Sequence, residues 1–570
     1  MSEPALDISG LSFSYRRSGS WQLAAISTQV RRGERLAIMG ATGAGKSTFA
    51  MVCNGLIPHH HEGQFLGSVL LDGVDTSTAD AIDMVRKVGL VMQDPETQIT
   101  GQTVLTDAAV GPANFGLPKD VVLERAQAAL ELVGMGELGD RDATALSGGQ
   151  KQRLAIAGII AMQPDILVLD EPTSELDPQA TEEVFAVVKR ISADADTALV
   201  VIDHEPEIIA EWADRLLVLR DGRVAYDGPP RDFFADVNAV EAAALRAPQV
   251  AEVALGLQSR GQFDGPIPVT LDEAVATLPR FAAQERTLPD HVPETEAPIV
   301  IDAQGLSHTY KTGVDALRDV TVQIRQGEFV AILGRNGAGK TTFARHLNGL
   351  LRPTAGALTI AGKDAADQPI SHLALHVGYV FQNPDHQIFA ASVREEVAFG
   401  LRNQGWDEDR IEARVDAVLQ QVGLHALRDR HPFTLGKGQR QRLAVASVLA
   451  LEPEVLVIDE PTTGQDHVGA SSMLQLVEEL NQAGHTIVMI THDMTLVAQH
   501  ARRVLLFAGG QMIADTTPRR LFGDAELLQR GNLVAPQVTR LGAQLGAPDT
   551  ILTPAEYVEV FVEGVAAHAH

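Results

Sequence analysis

"GATGAGKST", from Gly40 to Thr48, and "GRNGAGKTT", from Gly334 to Thr342, are two copies of one pattern in a single chain. Each fits G-x-x-x-x-G-K-[ST], in which glycines let successive backbone N–H groups turn inward around phosphate oxygens. The pattern predicts a strand before the loop and a helix after it. "ERLAIMG" and "EFVAILG" supply the apolar strand-like runs, and "KSTFAMVCNGL" and "KTTFARHLNGL" read as helices. The helix N-terminus adds its dipole to the phosphate site. The predicted cradle is Gly40, Ala41, Thr42, Gly43, Ala44 and Gly45, with Thr48 just inside the helix. Its second copy is Gly334, Arg335, Asn336, Gly337, Ala338 and Gly339, with Thr342. Lys46 and Lys340 would neutralise the β and γ phosphates, and Ser47 and Thr341 would offer a hydroxyl to Mg²⁺.

The duplication extends well beyond this loop. "VMQDPETQI" matches "VFQNPDHQI", and "ILVLDEPTSELD" matches "VLVIDEPTTGQD". Gln93 and Gln382, Leu146 and Leu435, and Asp170 and Asp459 are separated by one constant interval. So steady a spacing means two homologous halves in the same order. "APQVAEVALGL" from Ala247 answers "APQVTRLGAQL" from Ala535, so each half ends in a short helical appendage. "QERTLPDHVPETEAP" between the halves is rich in Pro and acid and reads as a linker.

Bulk properties bound the rest. At 570 residues the chain is too long for one core. With 45% hydrophobic and 21% charged residues it has ordinary globular composition. No apolar run approaches the roughly 18 residues of a membrane helix, and the acidic N-terminus lacks a signal-like h-region. Cys53 is the single cysteine, which excludes an internal disulfide framework and reads as a small buried residue. A net charge of −28 argues against a broad nucleic-acid surface and against direct adhesion to an anionic leaflet. Work at a membrane would then require a protein partner, with the chain in the cytosol.

Asp170 and Asp459 each end an apolar strand, where α/β sheets bind ligand and a carboxylate can hold the Mg²⁺ shell. Glu171 and Glu460 follow directly and would polarise the attacking water. The order of P-loop, glutamine loop, "LSGGQ", strand-end Asp-Glu and histidine loop, present twice, resembles ATP-binding-cassette ATPases. The fold implied is α/β, two P-loop NTPase cassettes, each with a helical subdomain and a short C-terminal helical appendage. The implied organisation is cassette 1 over 1–232, an appendage over 233–280, a linker over 281–297, cassette 2 over 298–525 and a second appendage over 526–570. By this resemblance ATP and Mg²⁺ are the ligands. Tyr15 and Tyr310 would stack on adenine, and Gln93 and Gln382 would touch Mg²⁺ and sense a membrane partner. His204 and His492 would contact the γ-phosphate and water, and Asp177 and Asp466 would lie across the interface between halves.

The two signatures differ. "LSGGQ" supplies Ser147, Gly148, Gly149 and Gln150, whereas "LGKGQ" supplies Gly436, Lys437, Gly438 and Gln439. In the family the cassettes pack head to tail, each ATP between one P-loop and the other signature. The altered copy would therefore bear on Lys46 and Glu171. Gly436 keeps the backbone N–H and loses a hydroxyl worth about 1.5–3 kcal/mol to a charged partner. Unequal sites are the expectation: Lys340/Glu460/Ser147 faster, Lys46/Glu171/Gly436 slower, neither dead.

The pattern Q-x-P-x-x-Q in both glutamine loops resembles ATPases of energy-coupling-factor transporters. That resemblance implies a transmembrane coupling protein and a small substrate-binding membrane protein as partners, one chain per transporter. Its cargo would be a vitamin, a vitamin precursor or a metal ion. The fused form and "NGLIPH" lean toward the thiamine-precursor group. Other readings are a tandem sugar-importer ATPase, a ribosome-acting tandem cassette and a DNA-repair cassette. The second asks for a basic inter-cassette arm, and the third for a coiled coil or zinc insertion. His59, His60 and His61 are adjacent in a loop and read as solvent-facing rather than as a metal site.

Overall fold

The runs "ILVLD" and "VLVID" are buried at every position. A strand without polar alternation must be covered on both faces, as in a parallel sheet between helical layers. The computed structural model places both runs in such sheets. It describes residues 4–16, 19–174, 176–193, 196–282, 287–290 and 296–568. The chain divides into two units, Met1–Leu278 and Pro279–His570.

The first unit contains β1 (Leu6–Tyr15), β2 (Leu23–Val30), β3 (Arg35–Met39), β4 (Gly63–Leu71), β5 (Val74–Asp75) and β6 (Val88–Val91). It continues with β7 (Ile166–Asp170), β8 (Ala198–Ile202), β9 (Arg215–Arg220) and β10 (Arg223–Gly228). An antiparallel sheet has the order β2-β1-β4-β5, and a larger sheet the order β10-β9-β3-β8-β7-β6. The larger sheet is parallel except for its edge strand β10. β3, β7 and β8 thus point their carboxyl ends the same way, where a ligand crevice forms. Phe13, Leu23 and Phe49 join the small sheet to the helix Lys46–Cys53 in one core. A second core packs Leu167 and Leu169 under the helices Val104–Asn114, Lys119–Leu132 and Gly148–Ile160.

The second unit repeats the plan. Its strands are β11 (Ile299–Thr309), β12 (Asp315–Arg325), β13 (Phe329–Leu333), β14 (Ala355–Ile360) and β15 (Lys363–Asp364). They continue as β16 (Val377–Val380), β17 (Val455–Asp459), β18 (Thr486–Ile490), β19 (Arg503–Ala508) and β20 (Gln511–Thr516). The sheet orders are β12-β11-β14-β15 and β16-β17-β18-β13-β19-β20.

Each unit ends in helices, Gln249–Ser259 and Leu271–Thr277 in the first, Gln537–Leu545 and Pro554–His568 in the second. Part of the stretch read as a linker packs on the second unit. Phe281 meets Tyr557 and Phe561 edge-on at 4.8 and 5.4 Å. The Leu288 N–H donates to Asp549 at 2.8 Å, and the Thr517 hydroxyl donates to Asp290 at 2.8 Å. The remainder of that stretch includes 283–286 and 291–295, outside the described residues. Among the described residues no helix is long and apolar enough to cross a membrane.

Candidate functional site

Each P-loop leaves the end of a central strand through a glycine that nothing larger can replace. Gly40 has φ 153°, and a Cβ there would lie 2.3 Å from the Leu219 carbonyl oxygen. Gly334 has φ 138°, with Phe507 O at 2.2 Å from the same position. The loop then turns so that its helix begins at Lys46 or Lys340. The Lys46 ammonium is buried and donates to Gly40 O at 2.8 Å and Ala41 O at 3.2 Å. Lys340 donates to Gly334 O at 2.5 Å and Arg335 O at 3.2 Å. A cation held at the mouth of a ring of N–H groups suits a polyphosphate. The Tyr15 hydroxyl lies 3.3 Å from Thr48 Oγ1, and that of Tyr310 lies 3.1 Å from Thr342 Oγ1. Both tyrosines are thereby tied to the first turn of the helix that follows each P-loop.

At the carboxyl ends of β7 and β17 the chain turns at a non-glycine residue in the left-handed region. Glu171 has φ 48° and Glu460 φ 50°. Such a backbone costs about 1–3 kcal/mol and marks functional positions. The turn aims each carboxylate at a histidine from the neighbouring strand end. Glu171 Oε1 lies 2.7 Å from His204 Nε2, and Glu460 Oε2 lies 2.8 Å from His492 Nδ1. Burial works against the charge on His492, but Glu460 beside it, with Asp493, outweighs this and raises its pKa to about 9. Gln93 Nε2 donates to Glu171 Oε2 at 2.7 Å. Among the described residues Gln382 makes no such bond with Glu460.

Residues 23–174 and 317–463 each match the sequence profile of the family described as ABC transporter. The chain belongs to the ABC transporter family. It is 37% identical over 96% of its length to a protein of Caldanaerobacter subterraneus subsp. tengcongensis, of which it covers 97%. A Methanosarcina acetivorans protein is 39% identical over 95% of this chain and 90% of its own length. Both are provisionally named ABC transporter ATP-binding proteins. A solved structure, cbiO1 from Clostridium perfringens, described as part of the ABC transporter complex cbiONQ, is 36% identical. It spans 43% of this chain and 99% of its own, with a TM-score of 0.39.

The chain is thus a pair of ABC cassettes in one polypeptide, an ATPase whose ligand is ATP. Its signatures differ in their caps. In the first cassette Ser147 Oγ accepts from Gln150 N at 3.4 Å while Gln150 Oε1 accepts from Ser147 N at 3.1 Å. In the second, Gln439 Oε1 accepts from Gly436 N at 3.2 Å, and the reciprocal bond has no side chain to make it. The Lys437 ammonium lies over Gly464 of the same cassette, where a Cβ would be 2.3 Å away. Gly148 and Gly149 open the first signature helix, whose Gly149 packs on Ala180. Gly438 packs likewise near Gln465. Asp177 and Asp466 cap the helices that follow them, accepting from Ala180 N at 2.9 Å and Gly469 N at 2.7 Å.

Magnesium asks for hard oxygen donors and keeps much of its water. The residues of the first cassette fit it. The Ser47 hydroxyl lies beside Asp170 and favours its ionised form, and Asp170 Oδ1 is buried with no hydrogen-bond partner. Ser47, Asp170 and Gln93 would hold the ion in one cassette, and Thr341, Asp459 and Gln382 in the other. Bound with ATP, it would supply charge neutralisation at the phosphates. Among the described residues no group of three or more His, Cys, Asp or Glu gathers for another metal. His59 is spent on Thr76 O at 2.7 Å, and His61 faces the Tyr15 ring.

Several working residues escaped the sequence reading. The second glutamine of Q-x-P-x-x-Q is an internal strut. Gln98 accepts from Met92 N at 2.8 Å and donates to Leu90 O at 3.0 Å. Gln387 donates to Ala444 O at 2.9 Å, tying its loop to the signature helix. Asp107 and Glu396, both buried, hold the end of each loop through N–H groups of Thr100 and Gly101, and of Phe389 and Ala390. The offset between halves was the available signal, since both residues recur at one interval.

Proposed function

We propose that this chain is the ATPase of an energy-coupling-factor type importer, driving uptake of a vitamin, a vitamin precursor or a metal ion. The observation that carries the reading is the pair of Q-x-P-x-x-Q loops. In the first, Gln93 bonds the catalytic carboxylate while Gln98 braces the loop; in the second, Gln387 braces the loop against the signature helix. A loop that joins the catalytic carboxylate to the helical layer can carry hydrolysis to a partner. The exposed ring pair Phe389 and Phe399, 4.7 Å apart beside the second loop, offers an apolar contact for it. The partners are a transmembrane coupling protein and a small substrate-binding membrane protein. They hold the chain on the inner face of the cell membrane, without nucleic acid and without lipid insertion. One chain serves each transporter, Mg²⁺ accompanies ATP, and the LGKGQ-facing chemistry is the slower of the two.

A mild-detergent pull-down of the chain from native membranes, read by mass spectrometry, tests this. One coupling membrane protein with a small hydrophobic binding protein supports it. Ribosomal proteins, or a chain found only in the soluble fraction, would overturn it while leaving the ATPase intact.

A further inference from the structure

The two cassettes hold their metal-side aspartates differently. Asp170 has the Ser47 hydroxyl of its own P-loop beside it. Asp459 Oδ2 instead accepts the hydroxyl of Tyr379 at 2.8 Å, inside the core. Thr341 makes no hydrogen bond to Asp459 among the described residues. The exchange is position for position: Tyr379 on β16 stands opposite Val457, and in the same register Leu90 on β6 stands opposite Val168.

A second exchange accompanies it. Arg345, on the helix Lys340–Leu347, lies close enough to Tyr379 and Asp459 to influence both. The equivalent residue of Lys46–Cys53 is Met51, packed on the apolar core. Leu90 and Met51 show that this space can be filled without any polar group. Burying a phenol there has a desolvation cost that its bond to Asp459 offsets, with Arg345 nearby.

We propose that Tyr379 is a positioning residue for the magnesium ion of the second cassette. By holding Asp459 at Oδ2 it stops the carboxylate from rotating and leaves Oδ1 to meet the ion's water shell. Tyr379 touches neither nucleotide nor metal; it acts through Asp459, as outer partners of metal ligands do. The two cassettes therefore set their metal affinities by different means, separately from the signature difference. The inference rests on the ATPase chemistry and not on the cargo.

The test uses the full chain carrying Lys46→Ala, which removes the phosphate lysine of the first cassette. A non-hydrolysable ATP analogue is added, and Mn²⁺, which takes the same oxygen ligands, is titrated with free Mn²⁺ read by electron paramagnetic resonance. Tyr379→Phe keeps the ring and removes the hydroxyl. It is expected to raise the Mn²⁺ half-saturation about tenfold while metal-free analogue binding stays unchanged. An unchanged Mn²⁺ curve would overturn the proposal, as would an equal loss of metal-free binding. Leu90→Ala in a Lys340→Ala chain should leave the first cassette's Mn²⁺ curve in place. A shift there as large as that of Tyr379→Phe would mean that the position acts by packing alone.

Discussion

Gln93 holds Glu171 in the first cassette at 2.7 Å, while its counterpart Gln382 leaves Glu460 to His492 and Thr463. Glu171 and Glu460 therefore begin from different hydrogen-bonded states. With the altered signature, this supports the proposal of two inequivalent routes to hydrolysis.

Glu171→Gln and Glu460→Gln separate them. Glu171→Gln leaves Lys340, Glu460 and the intact serine signature, and should keep the larger residual ATPase rate, by about tenfold. Glu460→Gln leaves Lys46, Glu171 and the signature altered at Gly436. Steady-state rates at saturating ATP decide it, and equal residual rates would remove the asymmetry.

Restoring the serine should speed the slow route. In the Glu460→Gln chain, the pair Gly436→Ser with Lys437→Gly returns a hydroxyl and the reciprocal cap. A hydrogen bond to a charged group is worth about 1.5–3 kcal/mol, so the gain is about tenfold to a hundredfold if it acts in the transition state. A rate that does not rise would mean that backbone N–H groups alone do the work.

The Glu460 contact makes His492 titrate late, near pH 9. Its folded pKa is raised, so the ion pair's contribution is fully present below the ordinary histidine value near 6.5. It fades as pH rises through about 9. Histidine-selective NMR should find this midpoint, and Glu460→Gln should lower it. A wild-type midpoint near 6.5 would mean the pair does not form in solution.

Gln98→Ala removes two hydrogen bonds within the first glutamine loop. At about 1 kcal/mol net each, stability should fall by roughly 1–2 kcal/mol. Hydrogen exchange should rise at the Met92 amide before it rises in β7. Exchange unchanged at Met92 would show that the loop is braced elsewhere.

Cys53 is fully buried, and burial pushes its thiol pKa up to about 12. Maleimide should modify it only on unfolding, at the rate of global opening. Rapid labelling of the native chain would contradict its place in the core.

Most of the site was legible because each motif is local. Gly40–Thr48, Asp170–Glu171 and His204 lie at strand ends that the apolar runs announce by themselves. What escaped depends on register or on contacts between distant segments. Tyr379 reads as a strand residue until β16 is paired with β17 and its hydroxyl is found on Asp459. Gln98 reads as part of a partner signature until its amide is found folded back on Met92 and Leu90. Phe281 reads as linker because acid and proline surround it, yet its ring is held by Tyr557 and Phe561.

Tyr379 and Leu90 occupy one position in two copies of the same architecture. In an assembly of two identical chains, any replacement appears at both centres, so a change that helps one is imposed on the other. Joining the copies in a single polypeptide lifts that restriction. One centre can keep an apolar wall beside its aspartate while the other acquires a phenol and a guanidinium, and selection can judge each alone. The duplicated chain is in this sense a device for letting two copies of one machine grow apart without losing their partner.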